Sequence, residues 1–461
     1  MSSIKAKEIH ERFFEMEQKY KLFDLRTHDG LPVWDIARYI IYYYLVFNNT
    51  DPNIGKTRLS NKIQIILSKV YAGARSLVSF PKIFFGKQEN FQFGASRTKN
   101  GLGKFYDQYF DSVKITVPGK FILYESVIYK NSYSNDNRIF DILPLIKVFQ
   151  RFLFSRKRLN NYDLAFKAIS ETFGRQVIDN KEINQMLNDF RIEYRFYKWL
   201  FKLKKIKRIF VTQNGIQKAL FKAAKDCDIV SFEFQHGDIV DATVLYNYET
   251  EKVNIKDNLI YPDFLLTFSD LWTQGKYIPS KCIEIGTNFF DHKTFDVRNS
   301  KNTLVVITSF EQNLELQKIT FNLAKANPDI IIYYKLHPAQ FHLASQQREY
   351  FKDLKNIQVV SNEKNMRDML MLSNEFLAIY STAIYEVIQS GKTIFILKEL
   401  NYSAFKPYFN LPNVHLVSDE NDIVAVRKEP SFSNFYSKPP QFFKPLNPTN
   451  IIALGKLTSK Y

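Results

Sequence analysis

The feature that most restricts this chain is a rhythm. From Arg208 onward, short apolar runs alternate with segments of helical period. The runs at Arg208 to Thr212, Ile229 to Phe234, Phe264 to Phe268 and Cys282 to Ile285 read as strands, with a helix over Gly215 to Lys225. After a polar stretch over 286 to 302 the pattern restarts. Strands are expected at Thr303 to Ile307, Ile330 to Tyr334, Ile357 to Val360, Phe376 to Ile379, Thr393 to Leu397 and Val414 to Val417. Helices are expected between them, over Glu311 to Ala326, Ser345 to Leu354, Asn365 to Leu372 and Thr382 to Ser390. Such alternation implies βαβ units and mostly parallel sheets.

The remainder divides around that core. Residues 1–88 read as a helical extension, with segments at Ile4 to Tyr20, Trp34 to Phe47 and Thr57 to Leu77. Gln88 to Gly103, rich in Gly, Ser and Asn, reads as a loop or boundary. A strand at Lys120 to Glu125 and helices at Asp141 to Phe154, Tyr162 to Phe173 and Lys181 to Leu203 complete the first half. The expected domains are 89–290 and 302–430, both Rossmann-like, with 431–461 a tail packing across them.

In open α/β sheets, ligands bind beyond the carboxyl ends of the strands. Two histidines stand there: His236, in Gln235-His236-Gly237, and His337, in Lys335-Leu336-His337-Pro338. Pro338 stops the strand and fixes the backbone beside the imidazole. Lys335 and His337 suit a phosphate; a turn histidine satisfied by a backbone carbonyl is the plainer alternative. Ser381-Thr382 opens a helix, whose first amides can be capped by hydroxyls or hold a phosphate. Glu386, one turn further on, could accept from ribose hydroxyls or stand as a solvated glutamate.

His236 is the expected general base, since imidazole titrates near neutrality. Glu311, Asp238, Asp241 and Glu233 are alternative bases. Gly237 would let its loop approach a ligand. Gln213 and Asn214, Gln235, and Thr308 and Ser309 are further strand-end residues expected to line the site. The other histidines lack metal-ligand spacing, and Asp226-Cys227-Asp228 reads as a turn, so no metal and no cofactor is expected. No Walker A, G-x-G-x-x-G or G-x-S-x-G motif occurs.

Composition narrows the partners. The 461 residues carry 64 Lys and Arg against 47 Asp and Glu, a formal net charge of +17. A basic surface of this size calls for an anionic partner. Basic residues gather at Lys69 to Lys87, Lys147 to Arg158 and Lys198 to Arg208, interleaved with bulky apolar residues, as in Phe80-Pro81-Lys82-Ile83-Phe84-Phe85. That mixture fits either an anionic membrane surface or ordinary amphipathic helices. The 42 Phe and 27 Tyr, alongside much Asn, Lys and Ile, reflect codon bias as readily as function. Two cysteines, Cys227 and Cys282, support neither a disulfide framework nor a zinc site. The charged Met1 to Glu17 lacks a signal-peptide pattern, and no apolar run reaches the ~20 residues of a membrane span. A cytoplasmic protein, peripheral at the inner face of the membrane, is expected.

At His236-Gly237, His337-Pro338 and Ser381-Thr382 the chain resembles the GT-B glycosyltransferases of bacterial capsule and surface-polysaccharide assembly. It is most similar to the group with CMP- or CDP-linked donors, the sialyl- and Kdo-transferases and the CDP-glycerol glycerophosphotransferases. The likeness spans about residues 208 to 400 in motifs of two to four residues, and Gly286 to Asp291 resembles the linker between the halves. It implies two Rossmann-like domains facing a cleft, and metal-independent transfer of a sugar or glycerol phosphate to a surface glycan. His337 and Ser381-Thr382 would hold the nucleotide, CMP or CDP favoured over UDP, and His236 would be catalytic. The acceptor would be a glycan or lipid-linked glycan; homo-oligomerisation stays open. A nucleotide-sugar 2-epimerase of the same fold is the alternative. A basic nucleic-acid binder is a further one, disfavoured because no known module or stacking platform is visible.

Overall fold

The computed structural model of the chain describes residues 6–47, 70–94, 96, 98–99, 104–114, 116–126, 138–153, 162–212, 217–240, 243–248, 259–288, 290, 302–309, 313–398, 402–429 and 438–457. The chain divides into two compact units. Unit 1 holds Glu8–Phe289 with Leu446–Tyr461, and unit 2 holds Phe290–Pro445.

Unit 1 begins with α1 (Ala6–Lys19) and α2 (Val33–Phe47), followed by α3 over residues 70–79. Its main sheet contains β1 (Asn90–Gly94), β4 (Phe121–Glu125), β5 (Ile139–Phe140), β6 (Arg208–Val211), β7 (Val230–Phe234), β8 (Phe264–Thr267) and β9 (Lys281–Glu284). The order is β5-β4-β1-β6-β7-β8-β9, and every pair is parallel. The chain runs outward from β1 to β5, then resumes at β6 on the other side of β1. This reversal is the switch point of a Rossmann-like sheet. A small antiparallel pair, β2 (Thr98–Lys99) and β3 (Phe105–Tyr106), and the short α4 (Asp111–Lys114) lie between β1 and β4 in sequence.

β1 corrects the expectation of a loop over 88–103. The strand was hidden because its central position is filled by Asn90, Gln92 and Gly94 among two phenylalanines. Both amides are buried and satisfied. Asn90 donates to Pro118 O at 3.0 Å and accepts from Arg208 at 2.9 Å, and Gln92 donates to Asp107 at 3.1 Å. A buried amide with partners loses little on leaving water, so polar letters are compatible with a central strand.

Parallel strands need cover on both faces. One face is packed by α5 (Leu143–Leu153), α7 (Asn180–Lys204) and α8 (Lys218–Asp226) through Phe91, Ile209, Val211, Leu200 and Leu220. α7 starts at a capping box in which Asp179 accepts from Glu182 N at 2.7 Å and Glu182 accepts from Asp179 N at 3.0 Å. The opposite face is closed by α4 and by α14 (Pro448–Lys456), whose Ile451 and Leu454 are buried with Phe110, Phe210 and Phe232. A third cluster joins α1, α2, α6 (Asp163–Phe173) and the start of α7 to Val244, Tyr248 and Leu259, so the N-terminal helices share a core with the sheet's loops.

Unit 2 repeats the plan. Its strands are β10 (Thr303–Ile307), β11 (Ile331–Lys335), β12 (Ile357–Val360), β13 (Glu375–Ala378), β14 (Thr393–Leu397) and β15 (Val414–Val417). They form an all-parallel sheet in the order β12-β11-β10-β13-β14-β15, with its switch point between β10 and β13. The connecting helices are α9 (Leu314–Ala326), α10 (Ala344–Tyr350), α11 (Met366–Leu372), α12 (Ala383–Gln389) and α13 (Glu420–Lys428). α9 begins three residues later than expected because Asn313 caps it, accepting from Leu316 N at 2.9 Å. α13 was not expected. Asp419 caps it twice, but only Ile423 of the helix is buried, so its apolar period is faint. The α/β class and the two Rossmann-like sheets are both present.

Candidate functional site

In unit 2 the carboxyl ends of β11, β10 and β13 are adjacent. The loops leaving β10 and β13 turn to opposite sides, which opens the crevice that Rossmann-like sheets use. Thr308 follows β10 and is buried. Its hydroxyl accepts from His337 N at 2.7 Å, while its own amide donates to Lys335 O at 3.1 Å. Two expected site residues are thus joined directly. His337 caps a 3-10 turn, Pro338–Leu343, and its Nδ1 accepts from Ala339 N at 3.2 Å. Burial, then the nearby Lys335 charge, hold the His337 pKa below its ordinary value. The imidazole is therefore neutral near pH 7, and with Nδ1 an acceptor its proton sits on Nε2. It presents a donor, which is what a phosphate or ribose oxygen takes.

Lys335, expected as a phosphate ligand, has a partner within the protein. Its residue is only 9% exposed, its ammonium donates to Ser361 O, and it lies 5.0 Å from the Phe341 ring. The side chain ties β11 to the end of β12, and burial lowers its pKa. Its charge still reaches His337 through space.

Ser381 accepts from Ala383 N at 3.3 Å, whereas Thr382, at the cap position, makes no side-chain cap. Both are half-buried at the end of β13. Glu386 lies one turn into α12, half-buried, and burial pushes its pKa up to about 7. Gly391 stops that helix in the left-handed region, φ 70°, where its amide donates to Ile388 O and that of Lys392 to Val387 O. Ser309 is described beside Thr308, whereas Glu311 lies outside the described residues.

In unit 1, His236 follows β7. Gln235 is fully buried and braces the turn: its amide donates to Gly237 O at 2.8 Å, and its carbonyl accepts from Phe268 N at 2.9 Å. Gln235 therefore shapes the site from beneath. Gly237 has no positive φ, and among the described residues beyond its chain neighbours no atom lies within 4 Å of where its Cβ would stand, so none of them demands a glycine there. Gln213 and Asn214 lie outside the described residues.

Two tyrosines that sequence reading missed hold His236. Tyr109 donates from its hydroxyl to His236 O at 2.9 Å and stacks on Phe268 at 6.0 Å. Tyr246 donates to buried Glu233 Oε1 at 2.7 Å, and its oxygen lies 3.5 Å from His236 Nδ1. Burial, then the Glu233 charge, drive the Tyr246 pKa well up. With its hydrogen committed to Glu233, the phenol oxygen faces the imidazole as an acceptor. That contact favours the tautomer with the proton on Nδ1 and the lone pair on Nε2, the form a general base requires. Tyr109, Phe234, Gln235, Phe268, Gly286 and Thr287 line a small pocket. Another is lined by Glu233, Tyr246, Lys218 and Tyr248.

At the switch point of unit 1, Asp107 is buried. It accepts from Thr212 at 2.7 Å and from Gln92, and caps the turn through Tyr109 N and Phe110 N, both at 3.1 Å. Among the described residues, no group of three or more His, Cys, Asp and Glu is placed to hold a metal.

No protein-family model matches the chain, and no curated protein does. Solved structures similar to it include MurG of Acinetobacter baumannii, at 8% identity over 74% of this chain and 91% of that one, TM-score 0.42. The UDP-GlcNAc 2-epimerase of Methanocaldococcus jannaschii is similar at 10% identity over 79% and 97%, TM-score 0.43. Phytolacca americana UGT2, complexed with UDP-2-fluoro-glucose and pterostilbene, is similar at 11% identity over 75% and 90%, TM-score 0.42.

Proposed function

We propose that the chain transfers a sugar, or glycerol phosphate, from a nucleotide-activated donor to a growing bacterial surface glycan. One observation carries this reading: two histidines at strand ends have Nδ1 partners that favour opposite tautomers. His337 is turned by Ala339 N into a donor at Nε2, and His236 is turned by Tyr246 into an acceptor at Nε2. His236 would take the proton from an acceptor hydroxyl. That oxygen would bond to the donor's anomeric carbon, or to phosphorus for glycerol phosphate. The bond to the leaving phosphate oxygen would break, and its electron pair would depart with the nucleotide. His337 Nε2–H, with Ser381 and Thr382 at the same end of the sheet, would stabilise the charge growing on that phosphate. Glu386 suits the ribose hydroxyls.

The donor class is read as CMP- or CDP-linked, on the sequence resemblance at His236-Gly237, His337-Pro338 and Ser381-Thr382. A thermal-shift panel of CMP, CDP, UDP, GDP and their sugar conjugates tests it, because a ligand that binds the native state raises Tm with concentration. Cytidine nucleotides should raise Tm selectively. A response to uridine nucleotides alone would move the reading to a UDP-dependent transferase or a 2-epimerase. No response to any nucleotide would end it.

A further inference from the structure

We infer that unit 1 carries a membrane-docking face, built from α3, the turn Phe80–Gly86, α5 and the end of α7, that seats on an anionic lipid bilayer. α3 is inside out. Val70, Ala74, Leu77 and Val78 share one stripe at helical spacing and are exposed, Val78 to 80%. The residues turned inward are small or polar. Ser76 donates to Asp141 O at 2.7 Å, Ser79 accepts from Phe140 N at 2.9 Å, and Gly73 lies where a Cβ would be 3.1 Å from Leu145. A soluble helix buries its apolar stripe, so one that shows it to solvent marks a contact surface.

The neighbouring segments continue it. Gly73 and Ser76 place α3 against the start of α5, and in the middle of that helix Val148 and Phe149 are exposed, Phe149 to 67%. Lys147 of α5 pairs with Glu193 of α7. Further along α7, Trp199 and Leu203 are exposed at i, i+4 spacing. The Trp199 ring meets exposed Phe84 at 6.3 Å, and Lys204 donates to Gly86 O at 2.8 Å, beside Phe85 at 72% exposure. Three segments distant in sequence therefore lie side by side and all present apolar side chains.

Charge selects the occupant. Lys82, Lys87, Lys202 and Lys205 are exposed among these aromatics, and the nearby carboxylates Glu193 and Glu89 are ion-paired with Lys147 and Lys207. Basic residues rimming exposed aromatics match an interface of anionic headgroups over acyl chains. A face awaiting a second copy of itself would set these lysines against one another.

Co-sedimentation of the full chain with vesicles tests this. The protein should pellet with phosphatidylglycerol-containing vesicles, far less with pure phosphatidylcholine vesicles, and less as salt rises. Phe84→Glu with Phe85→Glu, and separately Val148→Glu with Phe149→Glu, should each weaken partitioning at least about tenfold with Tm unchanged. Lys202→Glu with Lys205→Glu, which removes no apolar side chain, should weaken binding to anionic vesicles alone. Failure of the wild-type chain to pellet, or equal pelleting of all variants, overturns the proposal. So does a wild-type dimer that the Phe84/Phe85 variant makes monomeric without any vesicle binding.

Discussion

Arg38, in the middle of α2, donates to the carbonyl of Val244, in the loop that follows His236. The same guanidinium donates to Asn247 O at 3.3 Å and stacks over Tyr248 at 4.5 Å. Its charge is met by Glu17 of α1 at 2.6 Å, which also accepts from Trp34 at 2.6 Å. The N-terminal helices therefore hold the loop that carries Tyr246, and Tyr246 is what orients His236.

Removing one half of a buried ion pair leaves the other charge uncompensated. Arg38→Ala should cost about 3–5 kcal/mol in urea unfolding. Replacing Glu17 and Arg38 together with apolar residues should recover much of that loss, because the desolvation of both charges is avoided. A double variant no more stable than Arg38→Ala would show that the carbonyl contacts at Val244 and Asn247 matter more than the pair.

Under the proposed function, His236→Ala should lower kcat by about 10²–10⁴ and leave nucleotide affinity unchanged. Tyr246→Phe keeps the ring and removes the acceptor at Nδ1. Its kcat should fall roughly tenfold, the scale of one orienting hydrogen bond. Steady-state kinetics with a titrated nucleotide inhibitor separates the two effects. A raised inhibition constant in either variant would place His236 in donor binding instead.

Thr308→Val leaves the His337 amide without its buried acceptor and should cost about 1–3 kcal/mol of stability. His337→Ala removes the Nε2 donor and should weaken nucleotide binding roughly tenfold while sparing the protein's melting temperature more than Thr308→Val does. Calorimetric titration of the nucleotide found in the thermal-shift panel reads the first change, and scanning calorimetry the second.

Glu386 has its folded pKa raised from an ordinary 4.5 to about 7. Between those values the folded state binds more protons than the unfolded one. Its contribution to stability therefore falls as pH rises through that window and is constant above it. Glu386→Gln should be close to wild type at about pH 5 and more stable than wild type at about pH 8. Urea midpoints at the two pH values check this. A parallel shift at both would mean that the carboxyl is solvated.

The strand ends were legible because buried parallel strands are written as apolar runs: β7 and β10 end where the run ends, and β11 and β13 end within one residue of it. His236, Thr308 and His337 followed from that. β1 was not legible, since its buried Asn90 and Gln92 depend on Pro118, Arg208 and Asp107, partners distant in sequence. Tyr109 and Tyr246 escaped for the same reason: each reaches its partner from a loop, with no period to betray it. At Lys335, sequence shows a cation at a strand end but not the Ser361 carbonyl that engages it.

α14 has a consequence for how the chain is made. Arg208, deep in the first sheet, donates to Gly455 O, and a Cβ at Gly455 would run into the Pro118 ring. Asn450 donates to Glu284 O at 2.6 Å, and Asn447 N to Ile285 O at 2.7 Å. A seam of the earlier-made unit is thus sewn shut by residues translated after the whole of the later one. On the ribosome the second sheet has its full sequence before the first can seal, so the order of synthesis and the order of completion are reversed.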